Sequence, residues 1–405
     1  MRPRSIDVRQ RALLLTAALV LGVRTIGCAA GTDKPDEAEP PLGDGGGASL
    51  AEAGAIEASA PGDGSLDGGN TPPNERCSED GWCRVDMPDD KAALYGIWGS
   101  GPSDVWTVGS NGAVFHWDGT KWSAHRVETD AGQARPMFAV WGSGPSDVWA
   151  VTGTDILHSN GWTDDGPNFS AFEVIKRMGQ ADPLSVALRA LGGSGPTDVY
   201  VLRALTGAPG ALPFDKCSRS EGWSSGTPNL TAAIGERGGA IGTDVTAIWA
   251  TNARDIWMVG ESGRIFHSDG YWGGMVDFTQ TNSNTLADLH AVWGARADAV
   301  WAVGDRGTIR HFTYDPGGAL HWAIEDSKTT SALRAVWGSS ATDVWVVGDD
   351  GTILHGDGSS WSPSRVPVLP PETPLYGVWG SGPDDVWVVG QRVLLHRSGP
   401  TGGAK

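Results

Sequence analysis

The chain has 405 residues, with 48 acidic residues against 30 Lys and Arg and a formal net charge of −18. This acidic excess argues against a nucleic-acid partner, whose phosphates need Lys and Arg. A mean hydropathy of −0.22 excludes a protein built from several membrane spans. The 59 Gly would suit a disordered chain, but the 20 Trp would not, because disordered chains are poor in large aromatics. We therefore expect a folded protein.

Residues 1–28 are predicted to be a secretory signal. A basic start is followed by the apolar run 12–23, which is too short to span a hydrocarbon core of about 30 Å comfortably. The segment ending at Cys28 resembles the bacterial lipobox, which implies a lipid on that cysteine. Ordinary cleavage near Ala30 is the alternative. The sequence thus predicts either an outer-membrane lipoprotein of the bacterial envelope or a secreted protein.

Residues 29–75 are predicted to be a disordered acidic tether rich in Gly and Pro. Residues 29–74 hold nine acidic residues and one Lys but no aromatic residue, and such a composition cannot bury enough apolar surface to offset its ordering entropy. The last residues, 399–405, are expected to form a disordered tail.

One Trp-rich unit then recurs seven times over residues 76–398, at spacings of 42 to 57 residues. Its first Trp is Trp98, Trp141, Trp249, Trp293, Trp337 and Trp379, with Gly192 in copy three. Its second is Trp106, Trp149, Trp257, Trp301, Trp345 and Trp387, with Tyr200 in copy three. A third Trp closes the unit at Trp122, Trp162, Trp223, Trp272, Trp322 and Trp361. The alternative of two smaller repeat domains is disfavoured, because the even spacing leaves no linker.

Each unit contains four short apolar stretches of strand length, separated by Gly, Pro and Asp. Asp-Gly pairs such as Asp118-Gly119 mark tight hairpin turns. Four strands in about 45 residues are typical of a β-propeller blade, so the sequence predicts an all-β, seven-bladed propeller with four-stranded blades. Copy seven lacks its last strand, and an extra strand at Trp82 is available to complete it. We expect this N-terminal strand to close the ring.

The Val-Trp-x-Val core, the Gly-x-Ile strand and the closing Trp resemble Trp-rich secreted propellers of the tectonin type. The repeats are also similar to those of predicted bacterial surface lipoproteins. The resemblance implies a non-catalytic binding module for a protein or glycan, although the Gly-Ser-Gly-Pro-x-Asp turn departs from the tectonin pattern.

Six His occupy one repeat position: His116, His158, His267, His311, His355 and His396. Placed one per blade, they are too far apart to share a metal ion, so a structural hydrogen bond is the better interpretation. The Asp before the second Trp, such as Asp104, also recurs and is expected to cap backbone donors in a turn. Residues that recur in this way are expected to belong to the scaffold.

No catalytic residue, metal ligand or cofactor is predicted, although Ca²⁺ in the central channel is left open. Common nucleophile and metal signatures are missing from the sequence. A sialidase-like propeller would need a Tyr nucleophile. Four of the five Tyr stand at or beside repeat positions, so Tyr314 is the one candidate left for that role. Two alternatives to a binding module stay open: a glycan-processing hydrolase and a purely structural envelope protein.

Cys77 and Cys83 flank the extra strand and could form a disulfide in an oxidising compartment, whereas Cys217 is left without a partner.

Long insertions in and around copy three are predicted to crowd one face of the propeller. Repeat proteins commonly bind through such loops. The candidate ligand-binding residues there are aromatic and basic: Phe169, Phe172, Lys176, Arg177, Arg203 and Phe214. The expected partner is an envelope or extracellular protein or glycan, the only membrane contact is the lipid anchor, and the protein is expected to be a monomer. Decay of copy three is the alternative explanation for the insertions.

Overall fold

The computed structural model describes most of the repeat region. The described residues are 76–128, 134–173, 186–196, 198–205, 214–217, 245–269, 271–272, 275–276 and 278–399. The predicted signal segment 1–28, the tether 29–75 and all but the first residue of the tail 399–405 lie outside these ranges.

The strands of the described residues form seven antiparallel sheets that follow one another as the blades of a β-propeller, and one separate two-stranded hairpin. The first described strand is β1 (Trp82–Arg84). Blade 1 contains β2 (Leu94–Gly101), β3 (Asp104–Gly109), β4 (Ala113–Trp117) and β5 (Trp122–Arg126). Blade 2 contains β6 (Met137–Gly144), β7 (Asp147–Thr152), β8 (Asp155–Thr163) and β9 (Gly166–Glu173). Blade 3 contains β10 (Val186–Gly195), β11 (Asp198–Leu205) and β12 (Phe214–Cys217).

Blade 4 contains β13 (Val245–Asn252), β14 (Asp255–Gly260), β15 (Ile265–Ser268) and β18 (Thr279–Thr281), with a separate hairpin of β16 (Tyr271–Trp272) and β17 (Met275–Val276). Blade 5 contains β19 (Leu289–Arg296), β20 (Ala299–Gly304), β21 (Thr308–Tyr314) and β22 (Leu320–Glu325). Blade 6 contains β23 (Leu333–Ser340), β24 (Asp343–Gly348), β25 (Ile353–Gly356) and β26 (Trp361–Pro363). Blade 7 contains β27 (Leu375–Gly382), β28 (Asp385–Gly390) and β29 (Val393–Ser398). One-turn 3-10 segments follow the second strand at Ser110–Gly112, Glu261–Gly263, Asp305–Gly307 and Asp349–Gly351.

The extra N-terminal strand lies in blade 7. β1 pairs antiparallel with β29, so that blade 7 has the strand order β1-β29-β28-β27. Trp82 is fully buried, and its indole donates to Ser364 Oγ of blade 6 at 3.1 Å. A disulfide joins Cys77 to Cys83 beside this strand.

Three blades depart from the predicted strand pattern. In blade 2, Trp162 lies at the end of β8 and the fourth strand comes after it. In blade 4, Trp272 belongs to the separate hairpin, where it pairs with Met275, and β18 is the outermost strand instead. The third Trp, which closes the sequence unit, therefore does not stand in the fourth strand of these two blades. Blade 3 has three described strands, and its predicted closing residue, Trp223, lies outside the described ranges.

The apolar core is divided among the spaces between blades. Seven clusters of buried side chains occur in the described chain, and each is shared by two neighbouring blades. The cluster between blades 7 and 1, for example, joins Trp387 and Leu394 to Leu94 and Phe115. Both faces of a blade are therefore buried, which explains the consecutive apolar residues of the second strands.

The first Trp of one blade packs against a glycine of the next. The indole of Trp98 lies over Gly142, and a Cβ added there would be 2.5 Å from Cη2 of that Trp. The same interlock joins Trp141 to Gly193, Trp249 to Gly294, Trp293 to Gly338, Trp337 to Gly380 and Trp379 to Gly99. The Trp-Gly dipeptide of the repeat thus supplies both an indole to the following blade and a cradle for the indole of the preceding one.

Blade 4 lacks this glycine, and the blade before it lacks the matching Trp. Copy three has Gly192 in place of the first Trp, so no indole from that position reaches blade 4. At the matching position of blade 4 the chain has Ala250, which is buried, instead of glycine. Among the seven blades, the glycine is thus replaced by a residue with a Cβ only where no Trp of the preceding blade would contact it.

We expect Gly338→Ala to lower the free energy of unfolding by about 1–3 kcal/mol, because its Cβ would overlap the indole of Trp293 and the carbonyl of Asp343. The matched control is Ala250→Gly, which relieves no overlap and should change stability by less than about 1 kcal/mol. Denaturant unfolding measures both. Equal effects of the two substitutions would contradict the interlock.

Candidate functional site

The repeated His and Asp form a structural network within the blade. In blade 1, His116 Nε2 donates to Asp104 Oδ1 at 2.7 Å, and the indole of Trp106 donates to the same oxygen at 2.8 Å. The other carboxylate oxygen accepts from the hydroxyl of Ser100. The predicted structural hydrogen bond of the His is confirmed. The prediction that the Asp caps backbone donors is wrong, because the bonds that its carboxylate accepts come from side chains.

The His–Asp bond recurs in blades 2, 4, 6 and 7, as His158–Asp147, His267–Asp255, His355–Asp343 and His396–Asp385. In blade 7, burial would raise the pKa of Asp385, but bonds from His396 and Ser381 outweigh it and hold that pKa below its ordinary value. Against the same effect of burial, bonds from the His and from a hydroxyl likewise hold the pKa values of Asp104, Asp255 and Asp343 below the ordinary value. These four carboxylates are therefore ionised parts of the scaffold at neutral pH.

In blade 5 the His bonds to a Glu instead of to the Asp of the other blades. Ala299 stands where the other described networks have Asp, and His311 turns its Nδ1 to Glu325 at 2.8 Å. The second oxygen of Glu325 accepts from the indole of Trp361 in blade 6. One carboxylate on β22 thus joins the blade to its neighbour.

A β-bulge recurs near the start of the innermost strand in all seven blades. The pairing with the second strand skips one residue there, for example Tyr95 between Leu94 and Gly96. The bulged residues are Tyr95, Phe138, Arg189, Thr246, His290, Arg334 and Tyr376. A bulge re-aims its side chain away from the regular pleat and is frequent at functional sites. We call these seven residues the mouth ring, because neighbouring innermost strands contact one another around the propeller axis.

Three neighbouring blades supply an aromatic arc to the mouth ring. The ring centroid of Tyr95 lies 5.9 Å from that of Phe138 in a stacked arrangement, and 5.6 Å from that of Tyr376. Phe138 is 41% exposed. The arc therefore presents accessible aromatic surface at one side of the mouth.

Blades 5 and 6 supply an ionic arc. Arg334 makes a bidentate pair with Asp349, at 2.6 and 2.7 Å, and His290 Nε2 lies 2.7 Å from Asp305 Oδ1. The pairing with Asp349 raises the pKa of Arg334. Burial raises the pKa of the Tyr376 hydroxyl, and the nearby Tyr95 raises it further. Both aspartates begin the one-turn segments after the second strand, which places the mouth ring at that end of the blades.

The two remaining members of the mouth ring differ from each other. The hydroxyl of Thr246 donates to the carbonyls of Leu289 and Val259, so it links blades 4 and 5. Arg189 on β10 is exposed, and no described carboxylate forms an ion pair with it. The ring is thus aromatic over blades 7, 1 and 2 and polar or charged over blades 3 to 6.

The predicted binding residues are only partly placed. Phe169 packs its ring 6.4 Å from that of Trp106, between blades 2 and 1. The backbones of Phe172, Arg203 and Phe214 pair with Ile156, Leu188 and Leu202, respectively. Lys176 and Arg177 lie outside the described residues, as does Cys28.

Sequence analysis missed the mouth ring, although a signal was present. The residue after the first buried apolar residue of each innermost strand varies between copies, while its neighbours scarcely do. Tyr95 and Tyr376 are two of the four Tyr that stand at or beside repeat positions, and neither is among the predicted binding residues. The three insertions attach at the same end of the strands, since 174–185 and 218–244 precede β10 and β13, and 206–213 connects β11 to β12.

No helix among the described residues has the length and apolar character of a membrane-spanning segment. Within the same ranges, no three His, Cys, Asp or Glu side chains are placed so that they could hold a metal ion.

The sheets and their order define the chain as a β-propeller, and its blades resemble those of solved propeller structures. YCF48 bound to D1 peptide superposes with a TM-score of 0.56 at 18% identity, over 78% of this chain and 97% of that one. A catalytically inactive virginiamycin B lyase from Staphylococcus aureus with quinupristin gives 0.55 at 12% identity, over 78% and 98%. The extracellular domain of a hybrid two-component system from B. thetaiotaomicron gives 0.54 at 12% identity, over 78% of this chain and 39% of that one. No family model matches the sequence, and no curated protein does.

The His–Asp networks predict a loss of stability in acid. Because the pKa of Asp385 is lowered on folding, its contribution is present above its ordinary value of 3.8 and is lost as the pH falls below it. We expect Asp385→Asn to cost about 1–2 kcal/mol at pH 7 and less at pH 3. The exposed neighbour Asp384 provides the control, as Asp384→Asn. Unfolding curves between pH 3 and 7 measure the difference, and a cost that does not vary with pH would contradict the assignment.

Proposed function

We propose that this chain is a non-catalytic, monomeric binding module, held outside the cytoplasm by a lipid on Cys28, that takes a protein or glycan at its mouth ring. One observation carries the proposal. The residues on either side of the ring position are nearly the same in every repeat, yet the bulged residue is of five different types over the seven blades. A packing position should repeat, because each blade packs alike, whereas a position that contacts an asymmetric partner should vary.

The comparisons support a binding role without deciding it. One similar structure, YCF48, is bound to a peptide, and another is an extracellular domain. Virginiamycin B lyase shares the fold and is an enzyme, so the fold alone does not determine the function. The non-catalytic assignment draws on the repeated His side chains, whose hydrogen bonds lie within the blades. The resemblance to tectonin-type repeats points the same way.

The location outside the cytoplasm is supported by two features of the chain. The disulfide between Cys77 and Cys83 is typical of an oxidising compartment. The tether 29–75 is long enough to separate a lipid on Cys28 from the propeller, and its acidic residues repel one another.

We expect Cys28→Ser to move the protein from the membrane fraction to the soluble fraction, because a lipid supplies the only membrane contact proposed. Fractionation and metabolic labelling with a fatty acid measure this. The control is Cys217→Ser, which should leave the protein in the membrane fraction. If the Cys28→Ser variant and the unaltered chain divide between the membrane and soluble fractions in the same proportion, the lipid anchor is contradicted.

The binding role is tested with the full chain on a glycan array and by cross-linking in envelope extract, followed by identification of the captured protein. We expect the variant Tyr376→Ala to lose at least about ten-fold in capture, since aromatic side chains dominate binding surfaces. Arg126→Met, an exposed change on the outermost strand of blade 1, is the control. Failure to capture any ligand would favour the purely structural alternative. Equal capture by the Tyr376→Ala variant and the unaltered chain would contradict a binding site at the mouth ring.

A further inference from the structure

Arg189 is a cation that has no ion-pair partner among the described residues, on a strongly acidic chain. Its side chain is exposed on the bulge of β10, and among the described residues no carboxylate pairs with it. The other two basic members of the mouth ring, His290 and Arg334, each have an aspartate of their own. A guanidinium presents five N–H donors in a planar fork, which matches the two oxygens of a carboxylate. An anionic group on the ligand would supply a partner that no described residue provides for Arg189.

The neighbouring blade offers apolar surface to the same ligand. Phe138 occupies the equivalent bulge of blade 2; the residue is 41% exposed, and its ring stacks on that of Tyr95. The innermost strands β6 and β10 are in contact, so this aromatic surface and Arg189 belong to adjacent parts of the mouth. A ligand that reaches both therefore carries an apolar group close to its anionic group.

The charges of the mouth leave Arg189 as the cation to be matched. Asp305 and Asp349 already pair with His290 and Arg334, and in Arg334 two of the five guanidinium N–H groups are used for that pair. A neutral glycan carries no anionic group to pair with the guanidinium of Arg189. A polyanionic glycan would be repelled by a chain with a net charge of −18. These constraints favour a ligand with one carboxylate over a glycan.

We propose that the ligand of the mouth ring is an extended peptide in which an Asp or Glu lies beside an aromatic or aliphatic side chain. The carboxylate pairs with Arg189, and the apolar side chain packs on Phe138. This inference rests on the proposed function, since it names the partner of the same site.

The test is selection of a random dodecapeptide library on the full chain, followed by titration of a fluorescein-labelled peptide made from the enriched sequence. We expect the enriched peptides to place an acid next to an apolar residue. Replacing that acid by its amide should weaken binding about ten-fold, the usual size of a central charged contact. Arg189→Met should have the same effect, Arg189→Lys a smaller one and Phe138→Ala about five-fold, while Arg126→Met should leave the affinity within two-fold.

Thermal unfolding of each variant shows whether the propeller is intact, and affinities are compared only among variants that unfold at the same temperature. The amide peptide gives a second measurement that needs no variant of the protein. Enriched peptides without an acid, or binding that ignores both the amide and Arg189→Met, would overturn the inference while leaving the binding module standing. Binding of a glycan on the array with no enriched peptide would do the same. No ligand in either experiment would reject the proposed function itself.

Discussion

The packing of one blade's indole against the next blade's glycine is the contact on which the rest of this propeller depends. The Trp of blade 5 approaches the position of a missing Cβ at Gly338 to 2.7 Å, so the two blades meet as closely as backbone and ring permit. Dispersion attraction falls steeply with separation, and the fit of a flat indole on bare backbone therefore contributes strongly to each interface. Every blade except blades 3 and 4 gives one indole to the next blade and receives one from the blade before it. The packing of such a blade therefore depends on both of its neighbours.

The division of the core among seven interfaces explains what the repeat keeps constant. The second strands have apolar residues at consecutive positions because both faces of each blade are covered. The His–Asp network then satisfies polar groups inside the blade, where an unpaired buried donor would be costly. Blade 5 shows that the network can be replaced when another carboxylate, Glu325, takes over the His. The Gly under the indole is lost at blade 4, where the preceding Trp is also absent.

The bulge provides one variable side chain per blade beside residues that are nearly the same in every blade. At Tyr95 and its six equivalents the innermost strand gains one residue that the pairing with the second strand does not use. That residue is released from the blade's hydrogen-bond register, while the apolar residue before it stays fully buried. The side chain at this position is therefore less constrained by the packing of the blade than its neighbours are. Their aromatic and ionic arcs give the mouth an asymmetry that the repeated scaffold lacks.

Much of the fold could be predicted from spacing, and much less of the site. The Trp positions and Asp-Gly turns indicated seven units of short strands because these signals are local and recur. The same reasoning misplaced Trp272, since the residues after it pair back on it in a hairpin that local spacing does not distinguish from a fourth strand. It could not place Phe169, a candidate for ligand binding, whose ring lies with its centroid 6.4 Å from that of Trp106 in the preceding blade.

The sequence by itself determined the number of blades, the strand character of each unit and the availability of an extra strand at Trp82. Each of these depends on residue type and on short-range spacing, which the chain displays directly. Only the tertiary structure decided which side chains meet. Tyr95 and Tyr376 stand far apart in the chain, yet their ring centroids lie 5.6 Å apart. A propeller brings its first and last blades together through the accumulated rotation of all seven, and no local pattern contains that rotation.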